Sequence, residues 1–174
     1  MHEHEVDIEI KLGIVTISTS KWRKYGDVRG LKAIEEIDDE SGRILFEELS
    51  ESYRISDYRL IPDEIIRIQK EVINLLRQND AVTTTGGTGI TPADVTVEAI
   101  KPLLTKKIEG FGEIFRMLSY REIGTSAFLS RTFAGLIEDK VVFCLPGSPK
   151  AVKLGSELIK DSLKHLITHA RGLK

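Results

Sequence analysis

Residues 81–89 read Ala81-Val82-Thr83-Thr84-Thr85-Gly86-Gly87-Thr88-Gly89, a short β-branched run that ends in a cluster of glycines. β-Branched side chains suit a pleated strand. Glycine tolerates backbone conformations that other residues resist. The stretch predicts a short central strand, Ala81 to Thr84, running straight into a loop at Gly86–Gly89. In such a loop the backbone amides approach a ligand closely and the threonine hydroxyls add donors. A following helix start contributes free N–H groups and partial positive charge. Phosphate or another anion is the natural guest, although by pattern alone a ligand-free tight turn explains the glycines equally well. It is not a Walker loop, because no Gly-Lys-Ser/Thr follows, and it lacks the Gly-x-Gly-x-x-Gly spacing of a dinucleotide site.

Upstream, Pro62 is predicted to open an amphipathic helix with Ile65, Ile68, Val72, Ile73 and Leu76 inward, stopped by Arg77–Asp80. Before it come a strand over about Tyr53–Leu60 and a helix from Ser41 or Gly42 with Ile44, Leu45 and Leu49 inward. A first strand covers Ile8 to Ile17, where apolar residues alternate and then become nearly continuous, as in a buried parallel strand. Residues Thr16 to Gly30 lose periodicity and read as a long polar loop, functional or mobile.

Downstream, a short helix is predicted from Pro92 to about Ile100. Another spans Phe111–Tyr120 and buries Phe111, Ile114, Phe115 and Leu118. Phe133–Ile137 and Val141–Leu145 flank Glu138-Asp139-Lys140, as an antiparallel pair or as two strands joined by a tight turn. The last helix runs from Pro149 to about Ala170. This alternation predicts an α/β protein, a three-layer α/β/α sandwich with a mostly parallel central sheet. Residues 1–174 read as one domain, with 1–7 expected to be disordered. Sheets of this kind bind ligands at the carboxyl ends of their strands. Loops Ser18–Asp39, Thr85–Thr91 and Pro146–Lys150 fall there, with the helix entry at Pro62-Asp63.

Composition narrows the function. The chain has 174 residues, 41% hydrophobic and 30% charged, with a formal net charge of -2. No basic excess is available for a phosphate backbone, so no nucleic-acid partner is expected. No apolar run approaches the ~20 residues of a membrane span, and no secretory signal follows Met1. The single cysteine, Cys144, reads as a small buried hydrophobe and forms no internal disulfide. The expected location is the cytoplasm.

Few polar residues stand out as chemical candidates. Thr91-Pro92-Ala93-Asp94 has the pattern of a helix start, which accounts for Asp94 structurally. Beside the glycine loop, however, Asp94 also suits a magnesium ion held against bound phosphates. Asp63, in Ile61-Pro62-Asp63-Glu64, is placed to be a second carboxylate at the same sheet edge. In Pro146-Gly147-Ser148-Pro149-Lys150, Ser148 suits a helix cap, and Lys150 sits where the helix dipole disfavours a cation, which hints at an anionic ligand. His165 and His169 share a helix face without a third ligand nearby and read as solvated.

The ordered set of motifs resembles a known family. Thr84-Thr85-Gly86-Gly87-Thr88-Gly89-Ile90-Thr91-Pro92 followed by Asp94-Val95-Thr96-Val97-Glu98-Ala99 is similar to the signature of the MoaB/Mog family of molybdopterin-binding proteins. That family's relatives include molybdopterin adenylyltransferases and a domain of gephyrin. Ile61-Pro62-Asp63-Glu64 resembles its Pro-Asp-Glu helix start, and Phe128-Leu129-Ser130-Arg131 its Leu-Ser-Arg segment. Leu145–Val152 is similar to its Pro-Gly-x-Pro loop, and Asp39-x-Ser41-Gly42 to its short-form members. The likeness runs from about Ile8 to Leu166.

The resemblance implies transfer of AMP from ATP to the terminal phosphate of molybdopterin, with release of pyrophosphate and Mg2+ as the metal. Asp63 and Asp94 match the acidic active-site positions, as magnesium ligands or positioners. Thr85, Gly86, Gly87, Thr88, Gly89, Ser130, Pro146, Gly147, Ser148 and Lys150 match pterin and nucleotide contacts. A homotrimer or homohexamer is implied, as is a contact with the metal-insertion enzyme of the pathway. The alternative is a non-catalytic molybdopterin carrier or scaffold of the same pathway. One departure stands out: many members have Arg immediately before the matched aspartate, and this chain has Ala93. Lys101, Lys106, Arg131 and Lys150 are the cations that sequence offers in compensation.

Overall fold

The computed structural model describes residues 8–173, so the expectation of disorder over 1–7 lies outside the described residues. Strand β1 (Lys11–Ile17) is followed by α1 (Thr19–Tyr25), β2 (Val28–Arg29), α2 (Ala33–Glu36) and α3 (Glu40–Ser50). Next come β3 (Arg54–Ile61), α4 (Ile65–Leu76), β4 (Ala81–Thr85), α5 (Thr96–Ile100) and β5 (Lys106–Ile108). The chain ends with α6 (Glu109–Ile123), β6 (Phe133–Ile137), β7 (Lys140–Leu145) and α7 (Pro149–Ala170). Short 3-10 segments at Lys101–Leu103 and Gly124–Leu129 follow α5 and α6.

β4 is buried along its whole length because both of its edges are paired, parallel to β1 on one side and to β7 on the other. One seven-stranded sheet results, in the order β2-β3-β1-β4-β7-β6-β5. β1, β3, β4 and β7 run parallel, whereas β2 and β6 run against their neighbours. β6 and β7 form the expected antiparallel pair. After β1 the chain adds β3 on one side and then returns to place β4 on the other, so the strand order reverses between β1 and β4. Open α/β sheets bind ligands beside such a switch point.

Strand side chains alternate between two cores, as the pleat requires. Ile14 and Phe143 join Leu45 and Leu49 of α3, Phe111 of α6, and Val152, Ile159 and Leu163 of α7. Val15, Val142 and Cys144 join Ile68, Val72 and Leu75 of α4 and Ile100 of α5. This is the three-layer sandwich expected. Cys144 lies in the second core, where burial pushes its thiol up to about 12, so it packs as a hydrophobe. No helix among the described residues is long and apolar enough to cross a membrane.

Several local expectations are corrected. The long polar loop at Thr16–Gly30 contains α1 and β2. Ser18 caps α1 by accepting from Lys21 N, and Gly26 ends it at φ 72°. Val28 then pairs with Leu60 at the sheet edge. The helix expected from Pro62 begins at Ile65, leaving Pro62-Asp63-Glu64 as a connection, and Ile65 is 42% exposed beyond the sheet edge. The helix expected from Pro92 starts only at Thr96, because Asp94 closes a separate turn on Thr91. Ile114 lies on the outer side of α6 and is 48% exposed. Three-residue β5 passed unnoticed, being too short and too lysine-rich to show a period.

At the carboxyl end of β1, the fully buried Asp39 carboxylate accepts from Thr16 Oγ1, Tyr58 Oη and Lys21 Nζ, each at 2.6 Å. These bonds tie α1 and the start of α3 to β1 and β3. Burial pushes the Asp39 carboxyl up, but hydrogen bonds from Lys21, Thr16 and Tyr58 outweigh it and hold the group below the usual carboxylate value. Asp39→Ala is expected to cost about 3 kcal/mol, because three donors lose their acceptor. The folded carboxyl is the stronger acid, so this contribution is complete above the unfolded value of about 3.9 and is lost as pH falls through the lower folded value. Urea denaturation of both proteins at pH 7 and at successively lower pH should show the gap closing below about pH 4.

Candidate functional site

The loop after β4 sits at the β1/β4 switch point. Gly86 and Gly87 adopt φ values of 102° and 69°, a region that favours glycine. These conformations turn the chain away from the sheet, and a set of neighbours holds it there. Gly86 N donates to Leu145 O at 3.0 Å, continuing the β4–β7 ladder. Thr96 then grips the loop twice, Oγ1 donating to Gly86 O at 2.8 Å and N donating to Gly87 O at 3.0 Å.

Arg131 braces the far end of the loop. Its backbone N donates to Thr88 O at 3.0 Å and its Nε to Gly89 O at 2.9 Å, while the guanidinium also pairs with Glu98. The Pro146–Ser148 loop is held in turn by Thr85 Oγ1, which donates to Pro146 O at 2.9 Å, and by Ser41 Oγ, which donates to Gly147 O at 2.7 Å.

Between these loops lies a cavity of about 380 Å3, within the range of small-molecule sites. Gly86–Gly89 and Pro146–Ser148 line one side, and Phe115, Leu129, Ser126 and Ser130 line another. Ser148 caps α7, accepting from Ala151 N. Among the described residues Asp94 is the one ionisable side chain in the lining, and no cation lines this cavity.

The candidates named from sequence divide accordingly. Gly86, Gly87, Thr88, Gly89, Asp94, Ser130, Pro146, Gly147 and Ser148 meet on this cavity. Thr85 lies beneath it, its hydroxyl already committed. Lys150 is exposed in the first turn of α7 and does not line it. Asp63 flanks the glycine loop without lining the cavity. Its Oδ2 accepts from Thr19 N at 2.9 Å and Thr19 Oγ1 at 2.8 Å, and its Oδ1 lies 3.0 Å from where a Gly87 Cβ would be. Asp94 flanks the other end of the loop, with Oδ2 2.7 Å from where a Gly89 Cβ would be and accepting from Thr91 N and Oγ1.

Thr19 and Thr96 were missed as contributors. Thr19 fell in a stretch read as loop, and only side-chain direction distinguishes Thr96 from any other threonine at a helix start. Among the described residues no group of three or more His, Cys, Asp or Glu is arranged to hold a metal. The donor set, two carboxylates either side of the glycine loop, suits Mg2+, which takes one or two carboxylates and completes its shell with phosphate oxygens and water.

Comparison with known proteins follows the same residues. The family model described as "Probable molybdopterin binding domain" matches residues 13–165. The chain belongs to the MoaB/Mog family. A molybdopterin adenylyltransferase of Pyrococcus furiosus is 40% identical over 175 residues, covering 98% of this chain and 96% of that protein. A molybdenum cofactor biosynthesis protein B of Staphylococcus aureus strain MRSA252 is 50% identical over 135 residues, covering 74% of this chain and 80% of that protein. The crystal structure of the tungsten cofactor synthesizing protein MoaB from Pyrococcus furiosus superposes with a TM-score of 0.82 at 40% identity, over 95% of this chain and 99% of that one. Membership places the chain among proteins of molybdenum cofactor biosynthesis.

The cradle depends on the absence of a side chain at Gly87. A Cβ there would fall against Thr96 Oγ1 and carry an unfavourable positive φ. Gly87→Ala is expected to destabilise the fold by about 1–3 kcal/mol and to abolish ligand capture by the loop. Chemical denaturation and molybdopterin titration of the variant check the two effects separately.

Proposed function

We propose that the protein transfers AMP from ATP to the terminal phosphate of molybdopterin. The observation that carries this reading is the cavity lined by Gly86–Gly89, Pro146–Ser148 and Ser130 at the switch point, with a carboxylate on each side of its glycine loop. In the reaction a phosphate oxygen of molybdopterin attacks the α-phosphorus of ATP. The bond from that phosphorus to the bridging oxygen breaks, and pyrophosphate leaves on the opposite side. Atoms and charge balance without an external oxidant or base. The nucleophile is already largely deprotonated at neutral pH, with a second pKa of about 6.

Positioning and charge stabilisation supply most of the rate in such transfers. The loop amides and hydroxyls orient the phosphate. The Thr19 bonds occupy Asp63 Oδ2 and leave Oδ1 turned toward Gly87, whereas in Asp94 the oxygen that accepts from Thr91, Oδ2, is also the one nearest Gly89, which leaves Oδ1 without a partner from Thr91. Mg2+, when bound, offsets the negative charge that the two substrates bring together. Asp63 and Asp94 are the residues that would hold it. Phe115 and Leu129 supply the apolar wall on which a flat pterin ring packs.

The second reading is a molybdopterin carrier that performs no transfer. One observation favours it: Arg131, a cation offered in place of the arginine absent at Ala93, is consumed in bracing the loop, and no basic side chain among the described residues lines the cavity. Titration of molybdopterin with and without Mg-ATP, followed by pyrophosphate release, separates the two. Asp94→Asn and Asp63→Asn are expected to keep the fold while lowering transfer by about a hundredfold or more. Full turnover in both variants would remove the carboxylates from the mechanism.

A further inference from the structure

The cavity at the glycine loop has no cation, yet the two substrates of the proposed reaction are polyanions. The missing charge lies next door. A second cavity of about 510 Å3 opens between α5, β5 and the start of α6, and it shares Ser130 with the first as a common wall. Lys101, Lys107, Arg116 and Arg131 line it; Arg131 is paired with Glu98, but none of the other three has a carboxylate partner within ion-pair distance among the described residues. Lys21, by contrast, is paired with the buried Asp39. Unpaired cations gathered on one concave surface raise the local concentration of anions.

Arg116 is not simply a surface charge. Its Nη1 donates to Thr132 O at 2.8 Å, and it lies across the first turns of α6 where Gly112 leaves room. A Cβ at Gly112 would stand 2.5 Å from Thr132 O and 2.9 Å from Arg116 Nη2. The guanidinium is thus held in place by one neutral carbonyl, with its remaining donors available. Lys101 Nζ sits 5.3 Å above the Phe133 ring, a contact that restrains the ammonium without neutralising it. Two carboxylates, Glu109 and Glu113, belong to the same wall, so the excess of positive charge is moderate and selects for a ligand of high charge density.

We propose that this second cavity binds the polyphosphate of the nucleotide, a chain of linked phosphates whose minimal form is inorganic pyrophosphate. The assignment rests on the nucleotidyl-transfer reading and deepens it. The pterin occupies the cation-free cavity, the reacting phosphates meet at the shared wall near Ser130, and the leaving pyrophosphate is received among Lys101, Lys107 and Arg116. It also supplies a reason for the carrier reading to fail: the cations needed for a triphosphate are present, but in the neighbouring cavity.

The test is calorimetric titration of inorganic pyrophosphate into the intact chain, in metal-free buffer at fixed ionic strength. Lys101→Gln/Lys107→Gln is compared with Lys70→Gln/Lys153→Gln, which removes the same charge from exposed positions on α4 and α7. Ser126→Phe fills the first cavity without touching the second. The expected result is binding by the wild type, weakened about tenfold or more in the Lys101/Lys107 variant and kept by the other two. Equal affinity in the two double-lysine variants, or no binding by the wild type, overturns the proposal. Molybdopterin is titrated into the same proteins. If Ser126→Phe leaves molybdopterin binding intact, the assignment of the first cavity fails by itself, whatever pyrophosphate does.

Discussion

Everything at the site hangs on the double grip of Thr96 on the glycine loop. β4 delivers the chain to the carboxyl edge of the sheet, pinned on both sides by parallel ladders. At that point two residues of positive φ reverse its direction, a conformation open to many alternatives in an isolated peptide. Thr96 Oγ1 and N select one of them by binding the Gly86 and Gly87 carbonyls. The Thr96 hydroxyl is buried, so leaving either partner unsatisfied would carry a desolvation cost. The loop is therefore rigid because its alternatives are penalised, not because the glycines are rigid.

The same economy of polar groups explains how charge is distributed. Arg131 is the cation nearest the loop, but its guanidinium is consumed by the carbonyls of Gly89 and Asp94 and by Glu98. It shapes the loop. On the proposed reading, the loop would meet an anion through fixed backbone and hydroxyl dipoles, which need no reorganisation when ligand arrives. On the opposite flank, Asp39 anchors α1 through Lys21, and α1 carries Thr19, which holds the Asp63 carboxylate. A half-buried ion pair and the Asp63 carboxylate are thereby linked through a single short helix.

The sequence by itself determined the layered α/β/α architecture, because hydrophobic periods of 2 and 3.6 alternate along the chain and parallel strands need covering on both faces. It also determined the glycine loop, the Pro146–Ser148 turn and α7, whose ends were legible in Pro149 and the apolar spacing. These are local properties, read from neighbours in the chain. Tertiary structure alone decided the rest. Asp63 and Asp94 fall on either side of the loop, but Thr19 and Thr91 set how each carboxylate points. Lys150 and Thr85, plausible as ligand contacts in the chain, face away from the cavity, whereas Phe115 and Ser126 from α6 and the segment after it form its wall. Side-chain direction, and the partner that claims each hydrogen bond, depend on residues tens of positions away. No local pattern encodes such pairings, since they are fixed only when distant segments compete for the same buried donors and acceptors.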